Sequence, residues 1–344
     1  MKQLTHDVIV CGHGLAGAVL VHHLKERGLT FHVFDQPFQG SASQAAAGLV
    51  NPISLRRDVL TWRAHEMLAS ATEFYRSMER SLELELWRPT QLIKIFPTPA
   101  EADQWQRAIA RKETSGFVTN EQTSEVMENE IAAPHGYGIV HQCAWLDIRN
   151  MIKAQRAELI RTGSLTEQEI KPAEPRNTSD GIAINEISAR WIIHCNGPFA
   201  KVNGLVPVKG EVLTVRIPKV NIKSIIHRWI IILPIGGELY KIGSTFQWND
   251  VWSRKSPSGA DHLMEKLSAI IPAPVEIIDH VAGVRPTSKD RRPLLGKIAA
   301  HQAVFNGLGS RGAMIAPWCA KHLIDHLFDH EPLDPEVDID RFDD

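Results

Sequence analysis

The chain has 344 residues, of which 43% are hydrophobic and 23% are charged, and its formal net charge is −2. This composition is ordinary for a globular protein with room for two lobes, and it excludes an overall basic field that would collect nucleic acid or anionic membrane. The 4 cysteines form no C-x-x-C pair, so neither a disulfide framework nor a zinc site is predicted, and a cytoplasmic location is expected.

The first segment predicts a strand, a glycine-rich turn, a helix and a second strand. Its apolar, β-branched start is typical of a strand buried on both faces. Apolar residues then recur at helical spacing, and a glycine is placed to end the helix. The segment reads DVIVCGHGLAGAVLVHHLKERGLTFHVFD over residues 7–35, with strands at 7–11 and 31–34, the helix at 15–27 and the closing glycine at Gly28.

The turn between this strand and helix has G-x-G-x-x-G spacing, formed by Gly12, Gly14 and Gly17. Gly12 allows the tight turn, Gly14 lets the backbone approach a pyrophosphate, and Gly17 lets the helix pack closely on the strand. Asp35 lies at the end of the second strand, where a carboxylate can accept hydrogen bonds from an adenosine ribose. Glycines of a plain strand–helix turn are the alternative, but the whole arrangement predicts an adenine dinucleotide. The acid makes NADP the least expected ligand.

Residues 40–52, GSASQAAAGLVNP, predict a short helix of small residues that Ser41 or Ser43 can cap. Gly48 lets the backbone come close to a ligand. Tight packing on the first strand layer and a second wall of the dinucleotide site are equally consistent with this segment.

The middle of the chain predicts further helices and short strands. Amphipathic periodicity predicts a long structural helix, and Asp147 is suited to cap a later one. Residues 115–144 are polar and remain unassigned. The predicted elements are helices at 58–87, at 101–114 and from 145 to about 161, strands at 91–96 and 164–170, and a Pro-rich turn region at 171–181.

Residues 190–195 predict another buried strand, which ends in Asn196 and Gly197. Such a turn brings backbone close to a ligand at the carboxyl end of a sheet. Alternating or apolar runs separated by Pro and Gly follow, and they predict the antiparallel sheet of a second lobe. These runs are 207–217, 224–234 and 238–245, and a helix is predicted at 261–271.

A second strand, glycine loop and helix start are predicted towards the other end of the chain. The strand is 303–305, the loop NGLGSRGAM is 306–314, and the helix runs to about Phe328. Two helix N-termini directed at one ligand suit a long, extended dinucleotide.

Three histidines, His322, His326 and His330, recur every four residues along this last helix and its end. They could chelate a metal in principle. Because no carboxylate or cysteine constellation accompanies them, a solvated helix face is favoured and no metal is predicted.

With these motifs the chain resembles the flavin-dependent amine and amino-acid oxidases grouped with D-amino-acid oxidase, glycine oxidase and sarcosine oxidase. The matching segments are GHGLAG with Asp35, SASQAAAGLVNP, IIHCNGP, VPVKGEVL, ILPIGGELYKIGST, AGVRPTSKDRRPLLG and NGLGSRGAMIAP. Their combined order is more specific than any one of them. The last segment and the tail EPLDPEVDIDRF also resemble the oxidase half of the bacterial bifunctional enzyme that modifies wobble uridine in tRNA.

The resemblance implies an α/β fold with two domains. One is a Rossmann-like FAD-binding domain, with a glutathione-reductase-like sheet that has helices on both faces. The other is a smaller α+β substrate domain with an antiparallel sheet. The expected boundaries are 1–88, 141–207 and 281–344 for the discontinuous FAD-binding domain, and 89–140 and 208–280 for the substrate or cap domain.

The resemblance also implies FAD as the cofactor, bound non-covalently because no cysteine stands near Gly283, where covalently flavinylated members carry one. His13 replaces the small residue usual at its place in the fingerprint. The residues expected to hold FAD are Gly12, Gly14, Leu15, Ala16 and Gly17 at the pyrophosphate, Asp35 with Gln36 at the adenosine ribose, Ser43, Ala46, Ala47 and Leu49 at the phosphate and isoalloxazine region, Ile170 at adenine, Asn196 and Gly197 beside the cofactor, and Gly307, Gly309, Ser310, Arg311, Gly312, Ala313 and Met314 at the flavin pyrimidine edge.

The implied reaction is oxidation of the C–N bond of a small amine or amino acid. A hydride passes from the carbon that bears a neutral amine to flavin N5, the imine is hydrolysed, and the electrons pass to dioxygen or a carrier. Arg285, in the family's R-P motif, would bind the substrate carboxylate through two parallel hydrogen bonds. A structural ion pair with Asp290 or another nearby acid is the alternative. No side chain stands out as a general base.

A small amine or amino acid and dioxygen or an electron carrier are therefore the expected partners. Removal of a carboxymethyl group from a modified tRNA wobble uridine is the alternative, disfavoured because no companion methyltransferase half and no basic surplus are present. A non-catalytic flavin-binding protein is a third reading. Neither a signal peptide nor a membrane span is expected, since the first strand begins close to Met1 and the apolar run 229–235 is far shorter than the roughly 20 residues of a span.

Overall fold

The computed structural model describes residues 4–36, 40–121, 131–170 and 175–343. The helices are α1 (Leu15–Glu26), α2 (Ala42–Ala45), α3 (Ala64–Leu82), α4 (Pro99–Ile109), α5 (Ile148–Arg161), α6 (Pro257–Ser268) and α7 (Gly312–Phe328). The strands are β1 (His6–Cys11), β2 (Phe31–Phe34), β3 (Leu49–Val50), β4 (Ile53–Ser54), β5 (Val59–Leu60), β6 (Trp87–Ile95), β7 (Val118–Glu121), β8 (Tyr137–Leu146), β9 (Leu165–Thr166), β10 (Arg176–Asn177), β11 (Ile182–Ile184), β12 (Ile187–His194), β13 (Leu205–Arg216), β14 (Ile225–Arg228), β15 (Ile230–Gly236), β16 (Leu239–Gly243), β17 (Glu276–Ser288), β18 (Leu294–Ala299) and β19 (Gln302–Asn306).

The first sheet joins strands from distant parts of the sequence. Its order is β10-β11-β12-β1-β2-β9, with β19 beside β12 and β18 beside β19. Strands β9, β2, β1, β12 and β19 are parallel to their neighbours in this series. Their carboxyl ends therefore meet at one edge, which is where open α/β sheets bind ligands. The α/β prediction and the four strand predictions at 7–11, 31–34, 190–195 and 303–305 are confirmed.

Strand β1 is buried on both faces, as its run of apolar residues predicts. Val8 and Val10 belong to the main core, which helices α1, α3, α5 and α7 share. Ile9 and Cys11 point the other way, into a smaller core with strands β11 and β12. Alternation of side chains along a strand gives this division, so neither face of β1 has room for a polar residue.

The second sheet is mostly antiparallel and has the order β17-β13-β16-β15-β14-β6-β8-β3, with β7 beside β8. One face packs on α6 through a separate core that includes Leu213, Ile232, Leu263 and Leu267. The antiparallel sheet predicted for 207–245 is therefore confirmed. It also extends further than predicted, because β6, β8 and β17 join it from both sides of that segment.

The helix predicted at 58–87 is wrong at both ends, since α3 covers only Ala64–Leu82. Asp58 and Arg63 have left-handed φ angles of 51° and 46°, which a helix cannot contain. The segment before α3 instead forms the short hairpin β4–β5. The Asp58 carboxylate is fully buried and pairs with Nζ of Lys94 at 2.7 Å, a contact 36 residues away that periodicity does not reveal.

Other boundaries also differ from the predictions. The helix at 101–114 is α4 followed by a single 3₁₀ turn at Lys112–Thr114, and the strand at 164–170 is only Leu165–Thr166. The helix at 261–271 is shifted to Pro257–Ser268, where Ser256 caps it. Residues 115–144, left unassigned, contain β7 and most of β8, while 122–130 and 171–174 lie outside the described residues. Across the described ranges, the structure contains no helix that combines the length and apolarity required to cross a membrane.

Candidate functional site

The first glycine turn lies at the carboxyl edge of the parallel sheet, between β1 and α1. Gly12 has φ +101°, and a Cβ there would come within 2.7 Å of the carbonyl oxygen of Cys195, so only glycine fits. The N-cap residue of α1 is Gly14, which has no side chain of its own to cap the helix. The N–H of Leu15 donates to Oγ of Ser43 at 2.9 Å, which ties the predicted residues of this turn to the 40–52 segment.

Asp35 follows β2 and lies beside the first turn. Its Oδ1 accepts the N–H of His13 at 2.8 Å, and its Oδ2 pairs with Arg156 of α5. Arg156 also donates to Glu167 at 2.8 Å. Sequence reasoning missed Arg156, because its contact with Asp35 joins residues 121 positions apart. Gln36 is exposed next to Asp35.

The second glycine turn lies beside the first. It passes from β19 through a 3₁₀ turn at Gly309–Arg311 into α7, and Gly307 and Gly309 have left-handed φ angles of 71° and 55°. A Cβ at Gly312 would come within 2.9 Å of Leu15 Cδ2, so the starts of α1 and α7 touch. The structure thus brings together two turns from distant parts of the sequence, as predicted.

Asn196 and Gly197 lie between the two turns. The amide of Asn306, at the end of β19, donates to the carbonyl oxygen of Gly197 at 2.7 Å and accepts the N–H of Gly307 at 2.9 Å. Oδ1 of Asn196 is buried without a hydrogen-bond partner in the described part of the chain. A buried acceptor of this kind normally has a hydrogen-bond partner.

The 40–52 segment forms α2, and Ser41 rather than Ser43 caps it. The carbonyl oxygen of Ala46 accepts Nζ of Lys241 at 3.1 Å, and that of Ala47 accepts Nε1 of Trp145 at 3.0 Å. Leu49 continues into β3. This segment therefore connects the first sheet to the second, since Lys241 and Trp145 belong to strands of the second sheet.

The last predicted residues lie on both sides of the second turn and at the sheet's far edge. Ala313 and Met314 are buried at the start of α7, and Nη1 of Arg311 donates to the carbonyl oxygen of Asn51 at 3.1 Å. Burial lowers the pKa of Arg311 to about 10. Ile170 lies after β9 and packs on the smaller core beside β1.

Arg285 lies on β17, opposite Val208 of β13. Its Nη2 donates to Oγ of Ser244 at 2.7 Å, its Nη1 reaches the carbonyl oxygen of Thr245 at 3.4 Å, and its Cζ lies 4.6 Å from the ring centre of Phe246. Burial lowers the pKa of Arg285 to about 10.

Asp290 does not pair with Arg285. Arg341 binds both oxygens of the Asp290 carboxylate, at 2.8 and 3.2 Å. No carboxylate of the described residues forms a salt bridge with Arg285, so the structural ion pair weighed from the sequence is wrong. A partly buried guanidinium without an acidic partner is the arrangement expected of an anion-binding residue.

Lys241 is a further charged residue at the site, and the sequence analysis did not single it out. It lies on β16, and burial lowers its pKa, with a smaller contribution from the positive charge of Arg149. A lysine within the apolar run 239–243 was the available signal, because such a run rarely buries a lysine without a partner.

His322 and His326 of the last helix have separate partners, and His330 lies beyond the end of α7. Nε2 of His322 accepts the N–H of Asp334 at 3.0 Å, and Nδ1 of His326 lies 2.8 Å from the carbonyl oxygen of Glu331. Within the described ranges, no group of three or more His, Cys, Asp or Glu side chains is arranged to hold a metal ion.

A family model, DAO, described as FAD dependent oxidoreductase, matches residues 7–326. Among curated proteins, the chain is 21% identical to the tRNA 5-methylaminomethyl-2-thiouridine biosynthesis bifunctional protein MnmC of Marinobacter nauticus, over 94% of this chain and 56% of that protein. It is 24% identical to glycine oxidase of Geobacillus kaustophilus, over 91% of each. The chain thus spans about half the length of the MnmC proteins it matches.

Solved structures share this fold. The crystal structure of glycine oxidase from Geobacillus kaustophilus superposes with a TM-score of 0.79, covering 96% of both chains at 20% identity. Iminodiacetate oxidase from Chelativorans sp. BNC1 gives a TM-score of 0.77, covering 97% of this chain and 98% of that one, also at 20% identity.

Proposed function

The chain belongs to the DAO family of FAD-dependent oxidoreductases, and we propose on this basis that it oxidises the C–N bond of a small amine or amino acid. Its cofactor is FAD. Glycine oxidase and iminodiacetate oxidase, two of its relatives in sequence or fold, are named for substrates that are both an amine and a carboxylate.

The residues of the site fit FAD. The absence of a side chain at Gly12 lets β1 turn directly below the start of α1. Gly14, the N-cap residue of α1, has no side chain to cover the first-turn N–H groups that would face a pyrophosphate, although Ser43 accepts the N–H of Leu15. His13 and Asn196 each present a buried nitrogen or oxygen that lacks a partner among the described residues. Both turns converge, which suits a ligand as long as FAD.

We assign the two ends of the cofactor to the two turns. Gly12 to Gly17 hold the pyrophosphate, and Asp35 holds the adenosine ribose. The N–H groups at the start of α7, from Ser310 to Met314, lie at the flavin pyrimidine edge, where the positive end of the helix dipole favours negative charge. The attachment is non-covalent in this proposal.

Arg285 carries the proposal for the substrate. Its guanidinium lacks an acidic partner in the described structure, is partly withdrawn from water, and is fixed by Ser244 and Thr245. A carboxylate can take two parallel hydrogen bonds from such a group, which sets the orientation of the adjacent amine-bearing carbon. FAD, when bound, supplies the hydride acceptor. Arg285 would align the amine-bearing carbon with that acceptor. Positioning of this kind lowers the activation barrier by several kcal/mol in well-oriented sites.

No side-chain base is assigned. A substrate that binds with a neutral amine requires none, and the protein's task is then to hold the carboxylate and to exclude competing orientations. Gly210 lies beneath Arg285, and the carboxylate nearest to it in sequence is that of Glu211. This carboxylate already binds Lys209, Ser256 and His280, so it is not assigned as a base.

A second candidate substrate is the carboxymethylaminomethyl group of a modified tRNA wobble uridine. Three rings of the segment next to Arg285 are unusually open to solvent, since Phe246, Trp248 and Trp252 are 54%, 62% and 52% exposed. Exposed aromatic rings can stack on nucleobases. The MnmC relatives are named for tRNA modification, and both candidates place a glycine-like carboxylate on Arg285.

An anaerobic screen tests these proposals. The purified yellow protein is mixed with glycine, sarcosine, proline, D-amino acids, iminodiacetate or tRNA that carries the carboxymethylaminomethyl group, and the flavin absorption band is followed. Bleaching by a free amino acid supports the first proposal, and bleaching by the tRNA alone supports the second. Protein that binds FAD but is bleached by none of them, although dithionite bleaches it, would instead be a non-catalytic flavin-binding protein.

A further inference from the structure

His13 lies in the first glycine turn, between Gly12 and Gly14, and its side chain is buried. Only 3% of the residue is exposed. One ring nitrogen is bonded, because Nε2 lies 2.8 Å from Oε1 of Gln155 on α5. The other, Nδ1, is buried and has no hydrogen-bond partner among the described residues. A buried polar atom without a partner is uncommon in native proteins and calls for an explanation, such as strain, a functional role or a bound water or ion.

The neighbours of His13 determine which nitrogen carries the hydrogen. The amide nitrogen of Gln155 donates to the carbonyl oxygen of Ala18 at 3.1 Å. Since a carbonyl oxygen only accepts, the amide must turn its nitrogen to Ala18 and its oxygen to His13. Oε1 also only accepts, so Nε2 of His13 must donate to it. Burial lowers the pKa of His13 to about 4, which leaves the ring neutral near pH 7. Nδ1 is therefore a bare acceptor.

This acceptor requires a donor, and that requirement selects among the parts of FAD. Phosphate oxygens only accept, so the pyrophosphate cannot satisfy Nδ1. Hydroxyl groups can. Nδ1 is the ring nitrogen nearer the backbone, and the backbone N–H of the same residue holds Oδ1 of Asp35 at 2.8 Å. The carboxylate of Asp35, which we assign to the adenosine ribose, is therefore hydrogen-bonded to the backbone of His13, the residue whose Nδ1 is the bare acceptor.

We propose that Nδ1 of His13 accepts a hydrogen bond from one hydroxyl of the FAD adenosine ribose, while Asp35 accepts one from the other. Gln155 acts as a positioning residue, because it fixes the tautomer that makes Nδ1 an acceptor. Arg156 holds Asp35 from the opposite side.

Cofactor analogues test this directly in the unmodified protein. Apoprotein is titrated with FAD and with analogues whose adenosine lacks the 2′- or the 3′-hydroxyl, and the dissociation constant is read from flavin fluorescence. Loss of the hydroxyl that reaches His13 should weaken binding about tenfold, the usual scale of one hydrogen bond to a buried acceptor. Equal dissociation constants for all three cofactors would overturn the proposal.

Variants then show which residue binds which hydroxyl group of the ribose. In His13→Ala, FAD itself should bind about tenfold more weakly, and the penalty for one of the two deoxy analogues should vanish. The loss of affinity for the other deoxy analogue should persist in His13→Ala and vanish in Asp35→Asn. His22→Ala is the matched control, because His22 is also a buried histidine of this region, on α1, but binds Ser77 instead. Unchanged penalties for both analogues in His13→Ala would reject the role of His13.

Nitrogen NMR of the histidine-labelled protein provides a readout that requires no variant to fold well. The Nδ1 resonance of His13 should be that of an unprotonated nitrogen in the apoprotein, and it should shift when FAD binds but not when the flavin alone is supplied as FMN. A protonated Nδ1, or a resonance that FAD leaves unmoved, would contradict the proposal. None of these three experiments depends on turnover, so a failure to oxidise amines would leave their results unaffected.

Discussion

The guanidinium of Arg285 lies over the α-carbon of Gly210, so closely that a Cβ at position 210 would fall among the guanidinium nitrogens. The two residues belong to neighbouring strands, β17 and β13. Glycine at 210 therefore sets the position of Arg285, in addition to the hydrogen bonds from Arg285 to Ser244 and Thr245.

Gly210→Ala should displace Arg285 without disturbing the cofactor. We expect the apparent KM for a carboxylate substrate to rise about tenfold to a hundredfold, because misplacement by about 1 Å is costly in an oriented site. FAD content should be unchanged. Steady-state kinetics of Gly210→Ala, Arg285→Ala and the double variant form the test, and fully additive effects on kcat/KM would contradict the contact.

Arg285→Ala should lose substrate affinity by about a hundredfold or more, since a charge-assisted pair is removed, and Arg285→Lys should recover only part of it. Both variants should keep the yellow colour of bound FAD. Binding is measured by anaerobic titration with substrate or with a competitive carboxylate. Unchanged apparent affinity in both variants, with FAD retained, would reject the carboxylate role.

Gly12→Ala should bind FAD about a hundredfold more weakly or not at all. Its φ of +101° is unfavourable for alanine, and the added Cβ would come within 2.7 Å of the Cys195 carbonyl oxygen. Flavin fluorescence titration measures the loss. Gly163→Ala is the control, because Gly163 also has a positive φ, +70°, but has nothing within 4 Å of the added atom. Equal FAD affinity in the two variants would show that the first turn does not approach the cofactor.

Glu211→Ala should destabilise the protein by about 3–5 kcal/mol, because it leaves the buried ammonium of Lys209 without its partner at 2.9 Å. Burial alone would raise the pKa of Glu211, but hydrogen bonds from Lys209 and Ser256 lower it overall. Urea unfolding measures the change. Glu276→Ala, which breaks the exposed pair with Arg216, is the control and should cost about 1 kcal/mol or less. Similar losses in both variants would contradict the buried-pair argument.

The stability of the apoprotein should fall as the pH decreases below 6.5, and His13 should contribute to that fall. The folded state lowers the pKa of His13 from 6.5 to about 4, mainly through burial, while the hydrogen bond to Gln155 and the charge of Asp35 raise it and the charges of Arg156 and Lys25 lower it. Between these values the unfolded chain binds a proton that the folded chain does not, so acid favours unfolding. The contribution is about 1.4 kcal/mol per pH unit, or about 2 kcal/mol between pH 6.5 and pH 5.

Urea unfolding of wild type and His13→Gln at pH 7, 6 and 5 isolates this contribution. His23 and His227, whose pKa values burial also lowers to about 4, are present in both proteins and cancel in the comparison. The variant should show a shallower pH dependence by about one proton. Identical slopes would indicate that His13 is charged in the folded state.

Local patterns predicted the parts of this protein that depend on neighbours in sequence. The first strand, turn and helix are where residues 7–27 place them, because burial on both faces and helical spacing are visible in those residues alone. The second turn at 306–312 was predicted for the same reason. Convergence of the two turns was predicted because two helix N-termini suit one long dinucleotide, and the shared carboxyl edge of the parallel strands accounts for it.

Long-range pairing accounts for what the sequence did not reveal. Asp58 lies in the turn between β4 and β5 and pairs with Lys94, and α3 begins only at Ala64, although the helical periodicity begins at 58. Arg341 binds the carboxylate of Asp290, 51 residues away in sequence, so Asp290 forms no ion pair with Arg285. Arg156 and Lys241 enter the site from α5 and β16, and nothing in the amphipathic patterns around them indicates where their charged ends lie.

The two glycine turns come from opposite ends of the chain, and Gly312 touches Leu15 only after β19 has joined β12. During synthesis, the first turn, to which we assign the FAD pyrophosphate, therefore leaves the ribosome long before the second turn exists. A nascent chain that stops before β19 can form β1, α1 and β2 but lacks the partner turn. FAD can thus bind only late in synthesis, once the second turn is present, and stalled or truncated chains should be colourless.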